Sequence, residues 1–170
     1  MSQGGYWVPR ALAFEERIAA GVADPGVVEV AAAMIGQLPP ALRNSFDEGE
    51  RESFDREVSR GKGLSNWLRF TIRYRSIAYG IDSPYAMLKE TQTYALDRDT
   101  AQRISCPLLI TSPEHEQFWP AQSELLAGLV GDNATVVDFS AAEGAGDHGE
   151  AKSQALRSQR IFDWLDAQLA

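Results

Sequence analysis

Cysteine occurs once in these 170 residues, at Cys106, which excludes an internal disulfide and with it a small secreted scaffold held by bridges. Cys106 stands beside Pro107 ahead of an apolar run, so it reads as buried filler rather than a reactive thiol. Histidine occurs only at His115 and His148, which leaves imidazole chemistry few places to sit. Basic residues are in the minority, 16 against 24 acidic, for a net charge of -8. The basic face that a nucleic acid needs is missing, and no nucleic-acid partner is expected. No apolar run reaches membrane-spanning length, and no basic region followed by an apolar stretch opens the chain. No membrane partner is expected, and a cytoplasmic location is the default. Repeats and low-complexity tracts are also absent. What remains, 44% apolar and 24% charged, is the composition of a folded domain, long enough for one core plus a modest insertion.

The chain opens on Ser2-Gln3-Gly4-Gly5, a small-residue turn, and runs into a helix-like pattern through Tyr6, Trp7, Leu12 and Phe14. Pro9 fits that helix best if it starts near Tyr6, where the missing N–H falls in the first turn. Residues 18–23 are apolar and close at Asp24-Pro25-Gly26, as a buried parallel strand does. Residues 107–111 and 134–139 read as two more strands. Between them, 121–129 is helical, with Leu125, Leu126 and Leu129 as its buried stripe. Ile161, Leu165 and Leu169, flanked by Phe162 and Trp164, predict a last amphipathic helix packed on the sheet. Strand, helix, strand, helix at these lengths argues for a layered α/β fold.

Residues 39–100 contain no convincing strand. Leu42, Phe46, Phe54 and Val58 mark one apolar helical face, and Trp67, Phe70, Tyr74, Ile77 and Ala78 another. Arg69, Arg73 and Arg75 read as that helix's solvent surface, with an anionic-ligand site as the alternative. Ser83-Pro84 is an N-cap with proline at the first helical position, opening a third helix through Leu88 and Ala95. Gly61-Lys62-Gly63 joins two of these helices. A helical block of this length is too long for a crossover and reads as a cap or lid. The division is thus a core segment over 1–38, a helical cap over 39–100 and a second core segment over 101–170. Three strands leave uncovered sheet edges, open to self-association or to pairing with a missing N-terminal segment.

Three positions carry candidate chemistry. A serine on a tight turn into a helix has its hydroxyl forced outward, with the next backbone N–H facing a developing oxyanion. Ser2 and Gln3 fit those places, although the leading glycine of G-x-S-x-G is absent and a frayed terminus is the bland alternative. His148 lies in the glycine-rich loop after the third strand, Glu143-Gly144-Ala145-Gly146-Asp147-His148, and is placed to act as a base or to sit on the surface. Ser112-Pro113-Glu114-His115-Glu116 follows the second strand and offers a carboxylate to orient an imidazole. Serine, acid, histidine is the chain order that a strand-ordered hydrolase plan requires. His115 and His148 with Glu114, Glu116 and Asp147 form an alternative metal set, without the spacing of a known motif.

The stretch Ser2-Gln3-Gly4-Gly5-Tyr6-Trp7-Val8-Pro9-Arg10-Ala11 closely resembles the nucleophile elbow of an α/β-hydrolase group. That group includes dipeptidyl-aminopeptidase-like proteins and carbon–carbon-bond hydrolases of the pseudooxynicotine type. The likeness continues through Tyr79-Gly80, Ser83-Pro84-Tyr85, Ile104-Ser105-Cys106-Pro107, the Gly-Ala-Gly-Asp-His segment and Gln159-Arg160-Ile161-Phe162-Asp163-Trp164-Leu165. It implies a three-layer α/β-hydrolase fold, truncated to roughly the last three parallel strands with a helical cap insertion. It further implies Ser2 as nucleophile, His148 as general base, Glu116 where the family usually has aspartate, and the Gln3 N–H as an oxyanion donor. Glu114 is the second-choice acid. The strand and loop that precede the serine in the family have no counterpart here, as a fragmentary gene or a start placed at an internal methionine would produce. The function implied is a serine hydrolase acting on a small carbonyl substrate (ester, amide or carbon–carbon bond) through an acyl-enzyme, with no cofactor. Trp67, Phe70, Tyr74, Tyr79 and Tyr85 supply either pocket walls or cap packing. The alternatives are an inactive truncated remnant or interaction-only domain, and a small metal-binding α/β domain.

Overall fold

The computed structural model describes residues 1–61 and 64–170; the Gly61-Lys62-Gly63 connection therefore lies, at Lys62 and Gly63, outside the described residues. The chain opens with α1 (Gly4–Leu12), β1 (Gly21–Ala23), α2 (Ala32–Ile35), α3 (Pro40–Asp47) and α4 (Arg51–Ser59). It continues with α5 (Asn66–Tyr79), α6 (Pro84–Thr91) and α7 (Arg98–Ala101). The last elements are β2 (Leu108–Pro113), α8 (Gln122–Val130), β3 (Ala134–Phe139) and α9 (Gln154–Leu169). Residues 1–30 and 95–170 form one unit, and residues 31–94 a second. No helix among the described residues is long and apolar enough to cross a membrane.

In the first unit the strands form an open parallel sheet in the order β1-β2-β3. Gly21 registers with Leu108, and Leu108 in turn with Ala134. Leu108, Leu109 and Ile110 of the middle strand are fully buried, the continuous apolar run of a strand covered on both faces. β1 is shorter than the apolar run 18–23 because its pairing starts only where β2 starts: the Gly21 N–H bonds the Pro107 carbonyl at 2.9 Å. α1 packs so closely on β1 that a Cβ at Gly21 would come within 2.5 Å of the Leu12 side chain.

Several sequence expectations need correction. α1 starts at Gly4, which puts Pro9 in the helix interior. The carbonyl that Pro9 leaves without a donor, that of Gly5, accepts instead from the Val27 N–H at 3.4 Å, so the loop after β1 replaces the missing helical bond. The stripe of α8 is rotated. Leu125 is exposed, and the buried face is Gln122, Ser123, Leu126 and Val130. Its polar members fasten that same loop: Ser123 Oγ accepts from the Gly26 N–H at 3.1 Å, and Gln122 Oε1 from those of Val28 and Glu29 at 2.8 and 2.9 Å. α9 buries no residue, and Phe162 and Leu169 are exposed rather than packed on the sheet. Three strands offer it little apolar face, since β3 itself buries only Phe139. Arginines hold it instead: Arg160 donates to the Asp138 carbonyl at 3.0 Å and lies over the Phe139 ring. Lastly, the helix opened by Ser83-Pro84 ends at Thr91, and Ala95 pairs with Glu29 in an isolated antiparallel bridge.

The second unit is helical and has its own core. Leu42, Phe46, Phe54 and Val58 are buried as their spacing predicts, on two helices separated at Gly49, whose φ is 80°. Phe46, Phe54 and Tyr85 form a triangle of rings with centroids 5.3–5.9 Å apart. The Asp55 carboxylate accepts from Ser83 Oγ at 2.6 Å and the Tyr85 N–H at 2.8 Å, which ties α4 to the start of α6. The face expected on α5 is the wrong one. Leu68 and Ile72 enter the core, whereas Trp67, Phe70, Tyr74 and Ile77 are exposed. At 3.6 residues per turn the two sets lie on opposite sides of the helix, and the aliphatic pair is the one that fills the packed interior.

Candidate active site

Ser2 occupies the turn into α1 with φ 58°, a left-handed conformation uncommon for a residue with a side chain. Backbone bonds hold it there. Its N–H donates to the Asp24 carbonyl at 2.5 Å, and its own carbonyl accepts from the Gly5 N–H at 2.8 Å. Gly5 has to be glycine, because a Cβ would fall 1.8 Å from the Pro25 carbonyl oxygen. Gln3 follows in right-handed conformation, its carbonyl accepting from the Tyr6 N–H at 3.1 Å.

His148 starts the short turn that follows the glycine-rich loop, and its Nδ1 lies 2.7 Å from Glu116 Oε2. Both side chains are largely withdrawn from water, 16% and 6% exposed, so the pair is little screened. A carboxylate only accepts, which puts the ring proton on Nδ1 and leaves Nε2 as the basic nitrogen. Glu116 is held from its other side: Oε1 accepts the N–H groups of Phe118 and Trp119 at 2.8 and 3.2 Å. Burial acts to raise the Glu116 carboxyl, but the bond from His148, the two N–H groups and the imidazole charge outweigh it and hold it below its ordinary value. The sequence reading missed Phe118 and Trp119. The Phe118 ring meets the imidazole edge-on at a centroid distance of 4.8 Å, with Trp119 at 5.8 Å. Two adjacent aromatics, two and three residues after an acid in a strand-end loop, were the available signal. Trp119 is fixed in turn by its Nε1–H, which donates to the Glu29 carbonyl at 3.1 Å.

The Ser2 segment and the His148 turn come together in the fold. The Met1 side chain lies against Gly149, within 3.1 Å of where a Cβ on that glycine would sit, and Gly149 is the next residue after His148. Glu114 goes elsewhere, accepting from the Ala141 N–H at 2.7 Å. His115 and Asp147 do not join His148 around a common point either: the Asp147 carboxylate pairs with Lys152 at 2.6 Å, and His115 lies 3.8 Å from Glu114. Among the described residues no three of His, Cys, Asp and Glu are arranged to hold a metal ion. A cavity of about 530 Å³ at the strand ends is lined by Pro113, Glu116, Trp119, Ser123, Glu124 and Phe139, and by neither Ser2 nor His148.

No family model matches the chain. It is 25% identical over 173 residues to the protein named Hydrolase LUC6 from a Fusarium species. Over 176 residues it is 24% identical to Hydrolase ORFZ from Pyricularia oryzae. Each alignment covers 97% of this chain and 41% of the relative, so the chain spans less than half the length of the curated relatives it matches. Among solved structures, a mutant of the meta-cleavage product hydrolase CumD from Pseudomonas fluorescens IP01, complexed with acetates, superposes with a TM-score of 0.50 at 19% identity. That match covers 98% of this chain and 62% of the other. The fold is α/β-hydrolase-like. The first unit carries the turn with Ser2 before α1, the loop with Glu116 after β2 and the turn with His148 after β3.

Proposed function

We propose that the chain carries the machinery of a serine hydrolase acting on a small carbonyl substrate, an ester, amide or carbon–carbon bond. The nearer kinship proposed is with the dipeptidyl-aminopeptidase-like and pseudooxynicotine-hydrolase-like group. The observation that carries the reading is the shielded His148–Glu116 pair, with 2.7 Å between Nδ1 and Oε2, in a unit that also holds Ser2 at φ 58°. Similarity to two proteins named hydrolases supports it.

In this reading Ser2 Oγ attacks the carbonyl carbon and its proton passes to His148 Nε2. Glu116 fixes the tautomer and stabilises the imidazolium, and the Gln3 N–H donates to the oxyanion. His148 then protonates the leaving group, and water, activated by the same nitrogen, releases the acyl group from Ser2.

A fluorophosphonate probe tests the assignment, because it reacts with an activated serine whatever the natural substrate. Labelling is expected to vanish in Ser2→Ala and to fall on the order of a thousandfold in His148→Gln. Labelling that survives in Ser2→Ala at the wild-type rate would sink the assignment. The exposed apolar residues of α9 favour a second reading, an interaction-only unit. Concentration-dependent association without any Ser2-dependent labelling would select it.

A further inference from the structure

Glu150 is an acidic residue fully buried in the first unit, and neither of its carboxylate oxygens has a hydrogen-bond partner. Its backbone is left-handed at φ 45°, directly after Gly149 at 63°. A residue with a side chain holds that conformation only where its surroundings impose it. An ionised carboxylate without a donor is among the least tolerable groups in a protein interior. Glu150 therefore has to be matched by something other than an ordinary ion pair.

The charged group that acts on it most strongly is a second carboxylate, that of Asp24. Asp24 follows β1, is itself 5% exposed, and has donors of its own. Thr111 Oγ1 from β2 donates to Asp24 Oδ1 at 3.2 Å, and Arg157 Nη1 from α9 lies 3.7 Å from Oδ2. Arg157 also donates to the Gly149 carbonyl at 3.0 Å. Two acceptors face each other, one supplied with donors and one without. A proton on Glu150 resolves the conflict by making it a donor to Asp24. Burial first, then the Asp24 charge, then the hydrogen bond that only a protonated Glu150 can donate to Asp24 push the Glu150 carboxyl up to about 8, against smaller opposing effects of Thr111 and Arg157.

What the two carboxyls are attached to matters more than the pair itself. Glu150 closes the same turn that His148 opens. The backbone carbonyl of Asp24 accepts the Ser2 N–H. The pair thus joins the segment bearing Ser2 to the turn bearing His148.

We propose that Glu150 is a positioning residue: its carboxylic acid proton, donated to Asp24, locks the His148 turn to the Ser2 segment, and loss of that proton to solvent releases it. Ionisation leaves two buried carboxylates with one guanidinium, Arg157, at Asp24, so the turn opens to let Glu150 reach water. The proposal rests on the serine-hydrolase reading for the roles of Ser2 and His148, while the lock itself needs neither role.

The test follows the His148 Nδ1–H in histidine-labelled protein by NMR, with His115→Gln separating the two imidazoles. Exchange of that proton with water is measured from pH 6.5 to 9.5 in wild type and in Glu150→Gln, whose amide is neutral at every pH and still donates to Asp24. Relative to Glu150→Gln, the wild-type rate is expected to climb at least tenfold as pH passes about 8. Superimposable curves would overturn the lock. Fluorophosphonate labelling of the same samples is expected to decline above pH 8 in wild type and to persist in Glu150→Gln. Diverging exchange curves without any Ser2 labelling keep the lock and refute the hydrolase reading. Ser2 labelling with superimposed exchange curves does the reverse.

Discussion

Two adjacent glycines, Gly4 and Gly5, should respond to alanine with opposite sign. A Cβ at Gly5 falls 1.8 Å from the Pro25 carbonyl oxygen and 3.3 Å from a Val27 methyl. An ordinary C···O approach is about 3.3 Å, so α1 and the loop after β1 must part by roughly 1.5 Å. The loop is poorly able to give. Its next residue, Gly26, is bonded to Ser123 and leaves no room for a Cβ between Ile110 and Ser123. Overpacking of this kind costs about 1–3 kcal/mol. Loss of the 3.4 Å bond from Val27 to the Gly5 carbonyl adds about 1 kcal/mol. Against this, alanine regains roughly 0.5–1 kcal/mol of helix propensity. The net expectation for Gly5→Ala is about 1–3.5 kcal/mol of destabilisation. At Gly4 nothing lies within 4 Å of the added carbon, so only the propensity remains, and Gly4→Ala should be neutral or stabilising by up to ~1 kcal/mol. Urea unfolding followed by tryptophan fluorescence compares the two against wild type, with Trp7 on α1 itself as one reporter. Equal stabilities for the two variants would refute the packing argument. Because the Gly5 N–H also bonds the Ser2 carbonyl, Gly5→Ala should depress fluorophosphonate labelling as well.

Truncating Phe54, fully buried between Phe46 and Tyr85, should destabilise residues 31–94 by about 3–5 kcal/mol, whereas Tyr74→Ser on the exposed side of α5 should stay within about 0.5 kcal/mol. Hydrogen exchange over α3, α4 and α6 reads both, and a comparable loss of protection in the two variants would contradict the assigned faces. The Glu143 carboxyl is held down to about 2 by Arg160 first, then by the Ser140 N–H and hydroxyl. Its folded-state value is depressed, so its contribution is present above about pH 4.5 and fades as pH falls towards 2. Arg160→Met should raise the Glu143 titration midpoint, measured by carbon NMR of the carboxyl; an unchanged midpoint would show that the Ser140 contacts suffice alone.

What could be read ahead of the structure was local. The strand over 134–139 has the bounds its β-branched run predicts, because a short apolar segment between turns has few other ways to bury itself. Ser83-Pro84 caps α6 as written, since a cap needs only its own side chain and the N–H three residues on. Composition and chain order were enough for a parallel α/β sheet with a helical block between its first two strands. Tertiary structure decided everything that depends on what lies opposite. Pro9 is tolerated inside α1 because Val27, distant in sequence, supplies the bond that the helix lacks. Leu68 and Ile72 rather than Trp67, Phe70 and Tyr74 face the core, although both sets have helical spacing. Two glutamates two positions apart part company in the acid loop, Glu114 to the Ala141 N–H and Glu116 to His148. Glu150, charged on paper, is fully buried against Asp24. Periodicity and turn chemistry are properties of neighbouring residues and survive in one dimension. Burial, pairing and protonation are set by groups tens of positions away, and only the folded chain brings them within reach.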